Sequence, residues 1–203
     1  MNLLTPEELR VAAFSAFNTY HKEKKDLGSF SLAARAIIQA ALSLADQDEE
    51  NAGVFRLIAL NNSYNLSAAC WPCWEDAHQN IADDLLDLGL AAAEFNVDLA
   101  KKLDVGPERK KNGRWILGVH RLIRKDFAGA RDLFTESAGF AQEAGDRDAT
   151  KMAEGWCLLT DLLGGDETAK TKLDQLKTDL AALGEDGEFY SGQYDPVIDY
   201  FAK

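Results

Sequence analysis

Residues 114–134 read RWILGVHRLIRKDFAGARDLF. Apolar letters recur every three or four residues on both sides of Lys125-Asp126, which is the spacing of the buried stripe on an α-helix. Two such segments joined by so short a polar turn predict an antiparallel helix hairpin. Similar signs recur along the rest of the chain, so this stretch decides the fold class.

The composition of the 203-residue chain also favours helices. Ala and Leu supply 57 residues, whereas Val and Ile supply only 13. Straight-chain residues favour helices and β-branched residues favour strands. We therefore expect an all-α protein of about eight or nine helices, and a β-sandwich, a barrel or a parallel-sheet α/β fold is disfavoured. The first predicted helix starts at a capping box, Thr5-Pro6-Glu7-Glu8, and the last is a short helix after Asp195-Pro196. The helices between them are predicted at 30–45, about 51–69, 74–103, 114–124, 127–144, 149–163 and 167–183. Loops are predicted at 104–113 and 184–192.

A three-residue pattern follows several of the predicted turns. It consists of an aromatic residue, Ala three positions later and a large apolar residue four positions beyond that, as at Phe127, Ala130 and Phe134. The small Ala lets the two helices of a hairpin approach closely. Further copies are Phe30, Ala33 and Ile37, then Trp74, Ala77 and Ile81, and a degraded copy with Ala169 and Leu173.

Together with Leu117-Gly118 and Asp126, this pattern resembles a tetratricopeptide repeat over residues 111–144. The segments 145–148 and 164–166 are similar to the turns of the longer, roughly 40-residue form of that repeat. Arg121 stands where the repeat expects an aromatic residue. The resemblance implies hairpins stacked as a right-handed superhelix whose concave face binds peptides or proteins. It also implies a single domain over 1–203, with divergent hairpins at 1–103, clearer repeats at 111–183 and a C-terminal cap at 184–203.

The net charge of −12 is unevenly distributed. Residues 1–100 carry −9, while the segment 101–131 carries +7. The overall negative charge argues against nucleic acid and anionic membranes as partners. The basic segment either balances acidic helices of the same protein or binds an acidic segment of a partner. Three cysteines, an odd number, and the lack of a basic leader or a long apolar run predict a cytoplasmic protein.

Two groups of polar residues are the candidate lining of a binding groove. Asn61, Asn62 and Asn65 fall on one surface of the third predicted helix, where Asn side chains could hold an extended peptide. Arg114, Arg121 and Lys125 follow at i, i+7 and i+11 of a later helix, where they could bind carboxylates. The alternatives are a solvated stripe or an interhelix hydrogen bond for the Asn group, and pairing with the protein's own acidic helices for the basic group. Our leading hypothesis is a non-enzymatic scaffold that binds a protein or peptide, with no cofactor expected.

Two other classes of function stay open. Asp83, Asp84 and Asp87 form a D-D-x-x-D pattern whose carboxylates could share Mg²⁺ in a small metal-dependent enzyme. A structural or oligomeric role is suggested by five C-terminal aromatic residues (Phe189, Tyr190, Tyr194, Tyr200 and Phe201), which could instead cap the last hairpin. Cys70 and Cys73 form a C-x-x-C pair, which we expect to pack in the core rather than to act in redox chemistry. Core packing is also expected of Trp71, Trp74, Trp115 and Trp156.

Overall fold

The computed structural model describes residues 4–74 and 81–203, and these residues form helices and turns without any strand. The all-α prediction is therefore confirmed. The helices are α1 (Pro6–Ala16), continued by a π-helix (Phe17–Glu23), α2 (Leu27–Gln47), α3 (Ala52–Ala69), α4 (Asp83–Lys102), α5 (Pro107–Ile123), α6 (Phe127–Glu143), α7 (Arg147–Leu163), α8 (Ala169–Ala181), α9 (Glu185–Gly192) and α10 (Tyr194–Phe201).

Side-chain caps explain where several of these helices begin. At α1 the Thr5 hydroxyl accepts the Glu8 N–H at 3.2 Å, and the Glu8 carboxylate accepts the Thr5 N–H at 2.7 Å. This is the capping box that the sequence predicts. At α2, α6 and α7 an Asp carboxylate accepts the N–H of the residue three positions later, in the pairs Asp26–Ser29, Asp126–Gly129 and Asp146–Ala149.

Three predicted boundaries are wrong. The loop predicted at 104–113 is mostly helix, because Pro107 suits the first position of α5 and the charged residues after it are good helix formers. The loop predicted at 184–192 contains α9. The fourth helix begins at Asp83 rather than at Trp74, and residues 71–74 belong to no helix. Ala77, part of the second copy of the repeated pattern, lies outside the described residues.

Two compact units make up the chain. Unit 1 contains the residues up to Cys70 and Ala82–Asp104, and thus helices α1 to α4. Unit 2 contains residues 71–74, Ile81 and Val105–Lys203, and thus helices α5 to α10. The described chain therefore enters unit 2 after α3, returns to unit 1 for α4 and enters unit 2 again at Val105. The prediction of a single domain stays a prediction.

Small residues dominate the core of unit 1. Alanines pack there around one aromatic ring and one thiol, in a cluster of Phe30, Ala34, Leu66, Ala69, Cys70 and Ala92. The π-helix that ends the first helical segment brings Phe17 and His21 against Phe30, with ring centroids 5.7 and 5.4 Å away. Among the described residues, α2 alone is long and apolar enough to cross a membrane, and Phe30 and Ala34 on this helix belong to the core.

Unit 2 is built of antiparallel helices that pack against their sequence neighbours, α5 on α6, α6 on α7 and α7 on α8. Ala130 and Phe134 of the repeated pattern are completely buried, and so are Ala169 and Leu173 to within 2%. A Cβ atom added at Gly118 would lie 2.6 Å from Cε1 of Phe134, so only glycine lets α5 and α6 approach this closely. The close packing expected of the pattern is present here, whereas the repeat type and the superhelix stay predictions.

Candidate functional site

The predicted groove lining is divided between the two units. Asn61, Asn62 and Asn65 lie on α3 in unit 1, while Arg114, Arg121 and Lys125 lie in unit 2. Each group is therefore described as a surface of its own unit.

Only part of the Asn group lies at the surface of unit 1. Asn61 is exposed and Asn65 is half-buried, but Asn62 is buried and its side-chain amide donates to the Ile58 carbonyl at 2.8 Å. A buried amide with an internal acceptor is held by the helix and is not available to a peptide. For Asn62, the predicted role in binding is thus replaced by a hydrogen bond within α3.

The interhelix hydrogen bond considered for this stripe exists, but another residue makes it. Asn96 of α4, 3% exposed, donates to the Leu60 carbonyl at 2.7 Å and contacts the Ser63 hydroxyl at 3.0 Å. The sequence signal was a single Asn between the apolar residues Phe95 and Val97. It was missed because an isolated amide in an amphipathic helix is more often exposed.

Three cations of the basic segment, Lys111, Arg114 and Arg131, pair with acidic residues of unit 2. Lys111, only 8% exposed, forms ion pairs with Glu108 and with Asp146, the N-cap of α7. Burial alone would lower the pKa of Lys111, but the hydrogen bonds and charges of the two carboxylates outweigh it and raise that pKa. Lys111 thus joins α5 to the start of α7, a role that the prediction of a loop at 104–113 concealed.

Arg114, predicted to line the groove, also binds within unit 2. Its guanidinium pairs with Glu136 and lies 5.7 Å from the centroid of the Phe140 ring. Arg131 pairs in the same way with Asp161 at 2.7 Å. Internal charge balance, one of the two hypotheses for the basic segment, therefore describes Lys111, Arg114 and Arg131.

The turn between α5 and α6 leaves cations accessible. Arg121 keeps 38% of its side chain exposed beside Asp126, at 3.6 Å, and Arg124 and Lys125 are exposed. Lys125 does not lie on the predicted helix face, because α5 ends at Ile123 and Lys125 has a left-handed φ of 62°. We call Arg121, Arg124 and Lys125 the basic corner.

The acidic triplet lies at the start of α4. Asp83, Asp84 and Asp87 are exposed, and Asp83 and Asp84 occupy the first turn, where negative charge stabilises the helix dipole. Within residues 4–74 and 81–203, no three or more His, Cys, Asp or Glu side chains are grouped as metal ligands would be.

Cys70 and Cys73 are packed as expected, with exposed fractions of 0% and 4%. Burial raises the pKa of each thiol to about 12, so both stay protonated near neutral pH. Cys70 ends α3 and does not begin a helix, so it lacks the helix N-terminus that would activate a thiol. The pair is thus disfavoured as a redox centre.

All four tryptophans meet in unit 2. The Trp71 ring centroid lies 5.9 Å from those of Trp115 and Trp156, and Trp74 lies 6.0 Å from Trp115. Trp71, Trp115 and Trp156 are buried, which confirms their predicted core packing, whereas Trp74 is half-buried. The sequence did not predict that they would form one cluster, because Trp71 and Trp156 are 85 positions apart.

The buried indole groups of this cluster are unusual in their hydrogen bonding. The indole N–H groups of Trp71, Trp115 and Trp156 find no acceptor within the described part of the chain. A buried donor without an acceptor costs about 1–3 kcal/mol. The cluster therefore combines favourable ring contacts with polar groups that a better partner could satisfy.

The C-terminal aromatics differ in burial. Tyr194 is completely buried, contacts the Trp156 ring at 5.4 Å and donates to the Met152 carbonyl at 2.9 Å. Its ring thus packs in the core against α7, whereas Phe189 stays 60% exposed. Tyr190, Tyr200 and Phe201 are half-buried.

Comparison with known proteins returns no matching family model, no matching curated protein and no matching solved structure.

Proposed function

We propose that this protein is a non-enzymatic helical scaffold that binds an acidic segment of a partner protein at the basic corner. The supporting observation is the accessibility of Arg121, Arg124 and Lys125 in a chain whose net charge is −12. Lys111, Arg114 and Arg131 of the same segment are held in ion pairs within unit 2, whereas Arg124 and Lys125 of this turn are exposed beside Arg121. Because guanidinium groups bind carboxylates in a bidentate geometry, the corner suits Asp- and Glu-rich sequences.

The fold supports the same proposal. A turn between two closely packed helices presents its side chains from a rigid base, so little backbone conformational entropy is lost on binding. Such a corner fits the tetratricopeptide-like hairpin that we infer for α5 and α6. We place the protein in a reducing, cytoplasmic compartment, which suits its three free cysteines.

Charge reversal tests the proposal. We expect the double variant Arg121→Glu/Lys125→Glu to lose the partner captured by the wild-type protein from its own cell extract. Thermal stability should change little, because an exposed ion pair contributes at most about 1 kcal/mol. The matched control is Lys170→Glu/Lys172→Glu, which makes the same charge change at exposed positions of α8.

The outcomes separate clearly. Loss of a captured protein with the first variant and its retention with the control support the basic corner. Retention by both variants, or loss with both, contradicts it. We expect capture by the wild-type chain to weaken as the salt concentration rises, because exposed charges are screened.

A further inference from the structure

A short non-helical segment, Trp71-Pro72-Cys73-Trp74, covers the aromatic cluster of unit 2. We call these four residues the aromatic strap. The helices before and after it along the chain, α3 and α4, belong to unit 1, while the strap itself belongs to unit 2. Its ring contacts are thus with helices of unit 2 that are distant from it along the chain.

The surface under the strap is made by Trp115 of α5 and Trp156 of α7. Trp71 contacts both rings edge-on, at interplanar angles of 72° and 63°, and Trp74 contacts Trp115. Edge-to-face contacts of this kind each contribute about 0.5–1.5 kcal/mol beyond the burial of area. Phe134 stacks on Trp156 at 5.3 Å and supports this surface from α6.

Two features make the strap easier to remove than an ordinary core segment. It belongs to no helix, so its release breaks no helical hydrogen-bond ladder. It also leaves the Trp71, Trp115 and Trp156 indole N–H groups without acceptors among the described residues, which offsets part of the gain from ring packing. Release would hydrate the Trp71 indole N–H and so recover part of that cost.

We propose that the aromatic strap is a detachable internal ligand, and that the surface of Trp115 and Trp156 binds partner segments with two aromatic side chains three residues apart. The strap itself defines this chemistry, since Trp71 and Trp74 have that spacing. This surface is made of other residues than the basic corner, so either proposal can fail without the other.

The two buried cysteines provide the test. Cys73 lies in the strap, whereas Cys70, three residues earlier, lies in the core of unit 1 against Phe30 and Leu66. Burial raises the pKa of both thiols to about 12, so a thiol reagent reacts with either only after it becomes exposed. The wild-type chain can be labelled briefly at pH 8 over a urea series below the unfolding transition, and tandem mass spectrometry then assigns the label.

We expect the initial labelling rate of Cys73 to exceed that of Cys70 by at least about tenfold and to depend only weakly on urea, as local opening does. The variant Trp74→Ala should raise the Cys73 rate further and leave the Cys70 rate unchanged. Equal rates with the same steep urea dependence would show that the strap opens only by global unfolding, and would overturn the proposal.

A synthetic peptide tests the ligand. The probe contains W-P-S-W between soluble flanks, and its control contains A-P-S-A. A ligand that binds the open form increases its population in proportion to concentration. We expect the first peptide, at about 1 mM, to accelerate labelling of Cys73 at least about threefold without affecting Cys70. Equal rates with both peptides would overturn the assignment of the surface.

Discussion

The two units of this protein solve the same packing problem with different residues. Unit 1 packs alanines closely and holds its buried Asn96 amide by a hydrogen bond to the Leu60 carbonyl. Unit 2 packs large aromatic rings and leaves three indole N–H groups without acceptors among the described residues. The three indole groups and the basic corner therefore lie in the same unit. Departures from good packing are expected where a protein works, which is why both proposals concern that unit.

The largest expected effect is the removal of the ring at the centre of unit 2. Trp156 is completely buried against Trp71, Phe134 and Tyr194. We expect Trp156→Ala to lower the free energy of unfolding by about 3–5 kcal/mol, through lost burial and the cavity left behind. Urea unfolding followed by circular dichroism measures this. The exposed control Phe189→Ala should change stability by less than about 0.5 kcal/mol. A loss below about 1 kcal/mol for Trp156→Ala would contradict the central role of this ring.

A smaller effect is expected from a single methyl group between α5 and α6. A Cβ atom at Gly118 would lie within 3.0 Å of three atoms of the Phe134 ring, which is itself completely buried. Gly118→Ala should therefore destabilise the protein by about 1–3 kcal/mol. The control Gly139→Ala places its methyl in open space on α6 and should stabilise by up to about 1 kcal/mol. Changes of the same sign in both variants would show that α5 and α6 do not pack so closely.

Unit 1 is tested through its buried amide. Asn96→Ala removes the donor to the Leu60 carbonyl, and we expect a loss of about 1–2 kcal/mol in the free energy of unfolding. The exposed Asn61→Ala on α3 is the matched control and should be close to neutral. Equal effects of the two substitutions would show that Asn96 does not hold α4 to α3.

Each unit contains a group whose lowered pKa predicts a pH-dependent contribution to stability, His21 in unit 1 and Asp146 in unit 2. In unit 1, burial and then the charges of Lys22 and Lys25 lower the pKa of His21 below 6.5. The folded form therefore prefers neutral His21, so this contribution is complete above pH 6.5 and is lost as pH falls through the folded pKa. The urea midpoint of the wild type should thus fall relative to that of His21→Gln between pH 7.5 and 5.5. Any advantage of the wild type at pH 7.5 shrinks or becomes a disadvantage.

Asp146 of unit 2 is the control for that measurement. Burial would raise its pKa, but hydrogen bonds from Lys111 and the Ala149 N–H outweigh this and keep the pKa below 3.8. Its contribution is present above pH 3.8 and is lost only at lower pH. The difference between wild type and Asp146→Asn should therefore stay constant from pH 7.5 to 5.5. A pH-independent His21 difference, or a changing Asp146 difference, would contradict these assignments.

The sequence predicted what local chemistry determines. The capping box at Thr5 and the burial of Ala130 and Phe134 follow from residue types at fixed spacing, and all are present. The start of α5 was missed because Gly106-Pro107 reads as a loop as readily as a helix start.

The site depended on contacts that no local pattern encodes. Arg114 looks like a surface cation until Glu136, 22 residues away, is placed beside it. Asn62 reads as part of a polar stripe until the fold buries it. Likewise, nothing in the spacing of the tryptophans shows that residues 71–74 cover Trp115 and Trp156. Of the basic corner, Arg121 and Lys125 were predicted as cations of one helix face, but α5 ends at Ile123 and Lys125 lies in the turn, while Arg124 was not among the candidates.

Hydrogen–deuterium exchange of the full-length chain with and without its captured partner tests most directly the claim that unit 2 is the binding half of the molecule. If unit 2 is the binding half, the partner slows exchange at the basic corner and the α5–α6 turn, around residues 121–129. We expect no change in α3, where Asn61 and Asn65 lie. Protection of α3 with an unprotected α5–α6 turn would contradict it and return the binding surface to the Asn side chains of unit 1.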